Sequence, residues 1–216
     1  NNLIYRADVS VTNSATSLTA LNITTAGTYV ASDIANFKLW YQNSIPFNSA
    51  TATLIATKTT GLGAGVQTFS GLNQPYPIGT GYLFVTADLA CAAIATNTIN
   101  ITAPIASNFT FGVTVPTGTL FAGGSKQILA LTPINVTAAS TVPGNGELDI
   151  FWTNPLCFDE IMIVATDDAG GVTSVPTGNG SLYTQNTIYN DGTNFVNLNP
   201  NEFCIYKGGV SPVTMT

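Results

Sequence analysis

The acidic side chains are the first candidates for chemistry in this sequence. Asp159 and Glu160 are neighbours on a predicted strand, so their side chains leave on opposite faces and cannot form the carboxylate pair of a glycosidase. Glu147 and Asp149 share a face, but flanking positions on an exposed sheet face explain them equally well. Residues 167–171 (DDAGG) form a turn that could gather oxygen ligands around Ca²⁺, but the spaced Asp-x-Asp-x-Asp pattern is missing. We therefore predict no catalytic residue, metal site or cofactor.

The numbers of cysteine and histidine residues exclude several kinds of catalytic and metal site. The chain has three cysteines, Cys91, Cys157 and Cys204, and no histidine. Without histidine there is no Ser-His-Asp or Cys-His catalysis and no His-ligated zinc or haem. A nucleophilic cysteine would lack its activating base. The glycine-rich residues 61–65 contain no lysine and open no helix, so we predict a hairpin connection there and not a phosphate-binding loop.

Aromatic side chains offer one possible ligand site. Stacking on a sugar ring would use Trp40 and Tyr76, together with Tyr82, Tyr183 and Tyr189. Trp40 is the most interesting candidate, because a two-residue period places it opposite Leu39, which is predicted to be buried. The alternative is that Trp40 packs under a loop or on the second face of its sheet.

The overall composition excludes several classes of protein. Of the 216 residues, 45% are hydrophobic and only 7% are charged, with 5 Lys+Arg against 11 Asp+Glu and a net charge of -6. This acidic balance argues against nucleic-acid binding, which needs a basic surface. No apolar run reaches the length of about 18 residues that suggests a membrane span. A surface hydrated by neutral hydroxyl and amide groups is typical of exported proteins. The chain opens at Asn1 without a leader, as expected of a mature protein or an excised segment.

Alternating apolar residues indicate β-strands throughout the first part of the chain. One predicted strand buries Leu3, Tyr5, Ala7, Val9 and Val11 on a single face. Further strands are predicted at residues 18–24, with a bulge, at 37–41, and at 82–87, where both faces are apolar as in a central strand. About seven or eight short strands separated by Gly, Pro and Asn turns predict an antiparallel sandwich.

A second set of strands begins after the turn signal GGS at residues 123–125. The strand at residues 147–152 should point Leu148, Ile150 and Trp152 to one side, and further strands are predicted at residues 158–165 and 203–207. We place the domain boundary near residues 128–133. The predicted fold is all-β: two tandem antiparallel β-sandwiches, residues 1–130 and 131–216.

Several strings in the second domain resemble fibronectin type III-like modules of large secreted and cell-surface proteins of Bacteroidota. They are FWTNP at residues 151–155, FDEIMIVA at 158–165, PTGNGSLYT at 176–184 and IYKG at 205–208. Strings in the first domain are similar to Ig-like modules of such proteins: TAGTY at 25–29, NFKLWY at 36–41, GYLFVTAD at 81–88 and AGG at 122–124. The resemblance implies an exported, type IX-secreted cargo protein and carries over no catalytic residue.

The resemblance also implies that the second domain lacks its last strands, since a fibronectin-type sandwich normally continues after the Tyr-Lys-Gly region. Either the protein continues beyond residue 216, or a neighbouring chain supplies a strand, as in donor-strand filaments. In an exported protein we expect a Cys157–Cys204 disulfide, with Cys91 buried and unpaired; the alternative leaves two buried free thiols.

From these observations we predict a non-catalytic structural or adhesive module pair at the cell surface or outside the cell. It would act as a stalk, a spacer or a filament-forming unit. The expected partners are other protein modules, copies of itself and surface polysaccharide, with no nucleic acid and no membrane insertion. The alternative function is a carbohydrate-binding accessory module of a secreted enzyme.

Overall fold

The structure, a computed structural model, describes residues 1–113, 115–129, 136–155, 157–158, 160–175, 182–185, 198–209 and 213–215. The chain divides into two compact units, residues 1–131 and 132–216. The boundary predicted between residues 130 and 131 lies outside the described residues. The fold is all-β, as predicted. Its described helical elements are two short 3₁₀ turns, Ala31–Asp33 and Ala106–Asn108, and no described helix has the length and apolarity needed to cross a membrane.

The first unit contains nine strands in the described residues. In chain order they are β1 (Asn2–Val11), β2 (Thr16–Ala26), β3 (Ile34–Gln42), β4 (Thr53–Lys58), β5 (Gly65–Tyr76), β6 (Gly79–Leu89), β7 (Thr98–Ile101), β8 (Phe109–Phe111) and β9 (Lys126–Gln127). One sheet has the order β1-β6-β3-β4 and the other β5-β2-β7-β9, with β8 also paired to β2. All of these pairings are antiparallel.

The core of the first unit forms from the apolar residues that alternate along these strands. Strand β6 is central between β1 and β3, as its two apolar faces predict. Leu83 and Val85 join the main core, while Phe84 and Thr86 are buried on the other face of the sheet. Burying one large aliphatic or aromatic side chain stabilises a fold by about 1.5–3 kcal/mol, so this cluster dominates the stability of the unit.

Register shifts explain where the simple alternation fails. In β1 the pairing with β6 shifts between Leu3 and Tyr5, so that Ile4 is 2% exposed and Leu3 is 40% exposed. The prediction that Leu3 is buried is therefore wrong, because a bulge exchanges the two faces of a strand at that point. The bulge predicted in β2 is confirmed, with a register shift between Leu18 and Ala20.

The glycine-rich residues 61–65 do not close a hairpin. Strand β4 belongs to the first sheet and β5 to the second, so this segment crosses from one sheet to the other. Leu62 in its middle is buried in the main core. The predicted hairpin connection is therefore wrong, because turn residues alone do not reveal whether the next strand pairs with the previous one.

The second unit contains five strands in its described part: β10 (Thr137–Pro143), β11 (Leu148–Thr153), β12 (Ile161–Thr166), β13 (Glu202–Gly208) and β14 (Val213–Met215). Strands β10, β11 and β14 form one sheet, and β12 pairs with β13 in another. Ile150 and Trp152 are buried and Leu148 packs against them, as the alternation predicts. Phe203 and Ile205 of β13 complete this small core.

Candidate functional site: a hydroxyl-lined cleft in the first unit

The two aromatic residues predicted for ligand stacking are buried. Trp40 is 7% exposed: its Nε1 donates a hydrogen bond to Thr86 Oγ1 at 2.9 Å, and Phe47 packs edge-on with ring centroids 5.7 Å apart. Tyr76 is 1% exposed and lies edge-on to Phe111 at 5.7 Å. Neither ring presents a face to a ligand, so their assignment as stacking residues is wrong. The alternative for Trp40, packing on the second sheet face, is what the structure has.

The remaining aromatic candidates do not form a platform with these two. Tyr82 is half-buried and stacks on Phe84 with centroids 6.4 Å apart. Tyr183 is buried in the second unit. Tyr189 lies outside the described residues.

The cysteines pair differently from the prediction. Cys204 is a free thiol, 1% exposed on β13, and donates to the Tyr206 carbonyl at 3.6 Å. Burial raises the pKa of this thiol. Cys91 and Cys157 are each disulfide-bonded. The predicted Cys157–Cys204 disulfide is therefore wrong, because Cys204 is a buried free thiol while Cys157 is disulfide-bonded and lies in an exposed loop with φ at 64°. The expectation of a buried, unpaired Cys91 is wrong as well, since Cys91 is an exposed loop residue.

A buried carboxylate that the sequence analysis missed holds the loop after β6. The side chain of Asp33 accepts hydrogen bonds from Val30 N at 2.9 Å, Ile94 N at 2.8 Å and Asn97 Nδ2 at 2.8 Å. Burial raises the pKa of Asp33, but these three hydrogen bonds outweigh it and the net pKa is lowered. Asp33 is therefore ionised at neutral pH and ties residues 94–97 to the turn before β3.

A similar carboxylate, Glu202, begins β13 in the second unit. It accepts hydrogen bonds from Thr173 N at 2.6 Å, Thr173 Oγ1 at 2.8 Å and Ser174 N at 3.0 Å. Hydrogen bonding by Ser174, with that of Thr173, lowers the pKa of Glu202 to about 2 against the opposing effect of burial. Asn199 Nδ2 completes the network by donating to Thr173 Oγ1 at 2.8 Å.

A third carboxylate, Asp88, neutralises the start of the chain. Its oxygens lie 2.7 Å from Lys38 Nζ and 2.6 Å from the Asn1 amino group. Burial raises the pKa of Asp88, but the hydrogen bonds and charges of these two cations lower it overall. In the described part of the chain, every carboxyl group with a resolved pKa shift is thus held ionised by structural partners.

The acidic residues considered from the sequence do not share one location: Asp149, for example, lies on β11, the middle strand of its sheet. Glu160 pairs with Lys207, with Oε2 and Nζ 3.1 Å apart. Asp168 belongs to a turn, where its carbonyl accepts a hydrogen bond from Gly171 N at 3.0 Å. Asp159 lies outside the described residues. Within the described ranges, no three His, Cys, Asp or Glu side chains come together as metal ligands would.

One cleft stands out in the first unit, with a volume of about 630 Å³. Its walls come from four segments: the end of β1 at residues 8–11, the β1–β2 connection at 12–16, residues 106–111 including β8, and the extended segment 115–120. In the described residues β1 pairs with β6 and β8 pairs with β2, so strands of both sheets line the cleft. The volume is within the range of about 300–1,000 Å³ typical of small-molecule sites.

The lining of the cleft includes both apolar and polar side chains. Val9, Val11, Phe111 and Leu120 pack against the main core. The polar lining residues without a side-chain hydrogen bond in the described structure are half-buried Thr16 and exposed Thr12, Asn13, Ser14, Thr117 and Thr119. The Oγ1 atom of Thr16 is buried and has no hydrogen-bond partner in the described structure.

The cleft carries almost no net charge. Among the described residues that line it, Asp8 is the one ionisable side chain, and Arg6 Nε lies 2.8 Å from Asp8 Oδ1. Sequence analysis missed this site because its polar residues belong to separate segments and are individually ordinary in a chain rich in threonine, serine and asparagine. No protein-family model matches the chain, and no curated protein sequence matches it.

Proposed function

We propose that this chain is a non-catalytic structural or adhesive segment of an exported bacterial surface protein. It would serve as a stalk, a spacer or a unit that assembles with other modules or with copies of itself. The resemblance of its sequence strings to Ig-like and fibronectin type III-like modules of type IX-secreted proteins supports this proposal. The all-β fold is compatible with modules of that kind.

The observation that carries the proposal is the state of the carboxyl groups. Asp33, Asp88 and Glu202 all have lowered pKa values and are occupied by structural donors or cations. A general acid needs the opposite, a carboxyl whose pKa is raised toward neutral pH. The chain also has no histidine. The lowered pKa values of these carboxyl groups therefore support a structural role for them and not acid catalysis.

A disulfide supports the proposed location outside the cell. Disulfides form and persist in oxidising compartments and are rare in the cytosol. Cys91 and Cys157 are both disulfide-bonded. We infer that the protein functions in an oxidising compartment, where disulfides are maintained.

Immunogold electron microscopy of intact, unpermeabilised source cells tests the proposal. An antibody against this chain should label the outer surface or material extending from it. Labelling confined to the cell interior would contradict the proposal. Sedimentation velocity of the purified chain then separates the two structural roles, since a filament unit should associate as its concentration rises and a spacer should remain monomeric.

A further inference from the structure

We propose that Asn145 is a site of spontaneous covalent modification, at which the side-chain amide is lost and an aspartate or isoaspartate residue is formed. This property goes beyond the proposed structural role and does not rest on it. Asn145 and Gly146 form the tip of the turn that joins β10 to β11, between Gly144 and Glu147. All four residues are exposed, and Gly144 N donates a hydrogen bond to the Glu147 carbonyl at 2.8 Å.

The two groups that would react are unoccupied by other contacts. In the described structure, neither the side-chain amide of Asn145 nor the backbone N–H of Gly146 makes a hydrogen bond. A Cβ built on Gly146 would meet no atom within 4 Å, and the φ of this residue is +81°. Because glycine has no side chain, its backbone can be approached closely. The Gly146 nitrogen is therefore open to the Asn145 side chain.

The reaction needs water and no other reagent. Gly146 N attacks Asn145 Cγ, so that a new N–Cγ bond forms while the Cγ–Nδ2 bond breaks. The Nδ2 group leaves as ammonia, with the proton that Gly146 N gives up, and a five-membered succinimide ring remains. Water then adds to one of the two ring carbonyl carbons and breaks its bond to the ring nitrogen. One carbonyl gives aspartate and the other isoaspartate, and either product adds a negative charge two residues before Glu147.

Other asparagines of the described structure offer comparisons within the same molecule. Three of them precede serine, the next smallest neighbour after glycine: Asn13, Asn43 and Asn48. Asn43 Oδ1 and Asn48 Oδ1 each accept a hydrogen bond. Asn13 is exposed and its side chain makes no hydrogen bond in the described structure, but the Cβ of Ser14 hinders attack by the following nitrogen. Asn13 is therefore the matched comparison for Asn145.

The test is peptide mapping of the purified full chain after incubation at mildly alkaline pH, with the chymotryptic peptides of Asn145 and Asn13 followed by mass spectrometry. The Asn145 peptide should gain the mass that replaces NH₂ by OH roughly tenfold faster than the Asn13 peptide. Part of the product should accept a methyl group from an isoaspartyl methyltransferase. The control Asn145→Gln should show no conversion at this position, because its longer side chain would have to close a six-membered ring.

Three results would overturn the proposal. The first is conversion of Asn145 only when the chain is unfolded in urea, which would mean that the folded turn prevents the attack. The second is conversion of Asn13 at the same rate as Asn145. The third is formation of aspartate without isoaspartate, which would indicate direct hydrolysis of the amide and not a cyclic intermediate.

Discussion

Replacing Asp33 by alanine should destabilise the first unit far more than replacing an exposed aspartate. The substitution removes the acceptor of three hydrogen bonds, from Val30 N, Ile94 N and Asn97 Nδ2, all between 2.8 and 2.9 Å. At about 1 kcal/mol for each donor left without its acceptor, the loss is about 3 kcal/mol. For a unit of this size that corresponds to a fall in Tm of roughly 10 °C.

The assay is urea denaturation followed by the fluorescence of Trp40. A Trp152→Phe background removes the other tryptophan, so that the signal reports the first unit alone. Asp8→Ala is the matched control, because Asp8 is half exposed and its ion pair with Arg6 lies on the surface, where such pairs contribute about 0–1 kcal/mol. Asp33→Asn should also destabilise, since one amide NH₂ must then face an N–H donor.

The pH dependence gives an independent check on Asp33. Its folded pKa is lowered below the unfolded value of about 3.9, so its contribution is complete above that value and is lost as the pH falls through the folded pKa. The free-energy difference between wild type and Asp33→Ala should therefore be constant near neutral pH and shrink below about pH 4. A loss within 0.5 kcal/mol of the Asp8→Ala value would refute the assignment of Asp33 as a structural anion.

Three further outcomes follow from single contacts. Thiol titration should find Cys204 unreactive in the native chain and reactive after unfolding without reductant; reaction at the native rate of a free thiol would contradict its burial. Gly123→Ala should lower Tm, because a Cβ there would clash with the Ile4 carbonyl oxygen, whereas Gly112→Ala meets no atom closer than 3.9 Å and should change little. Glu202→Gln should lower the stability of the second unit at pH 7, measured by Trp152 fluorescence. The wild-type advantage should fade as pH falls from about 4 toward the folded pKa of about 2, and an advantage independent of pH would contradict the cause given.

Sequence reasoning succeeds here where a two-residue period decides burial. The central position of β6 and the inward direction of Trp152 follow directly from alternation, because successive side chains of a strand leave on opposite faces. Alternation does not predict the burial of Ile4. The bulge that buries it depends on the register with β6, a partner about eighty residues away in the chain.

The Asp33 network, the cysteine pairing and the cleft could not be predicted from the sequence for the same reason. Asp33 is a structural anion because Ile94 and Asn97, on a loop distant in the sequence, donate hydrogen bonds to its carboxylate. The residues next to Asp33 in the sequence do not predict this contact. The cysteine pairing also depends on long-range contacts. The prediction paired Cys157 with Cys204 because both lie in the second domain, whereas Cys204 is a buried free thiol on β13. The cleft appears only when four separate segments meet between the edges of two sheets.

Mass-spectrometric mapping of the cysteines in protein released by protease from intact source cells tests the central claim most directly. Free thiols are alkylated at the outset and no reductant is added. We predict that peptides of this chain appear in the released fraction, with Cys91 and Cys157 both in disulfides and Cys204 unlinked. Recovery of the chain only from the cell lysate, with all three thiols free, would contradict the account of a disulfide-bonded exported surface module.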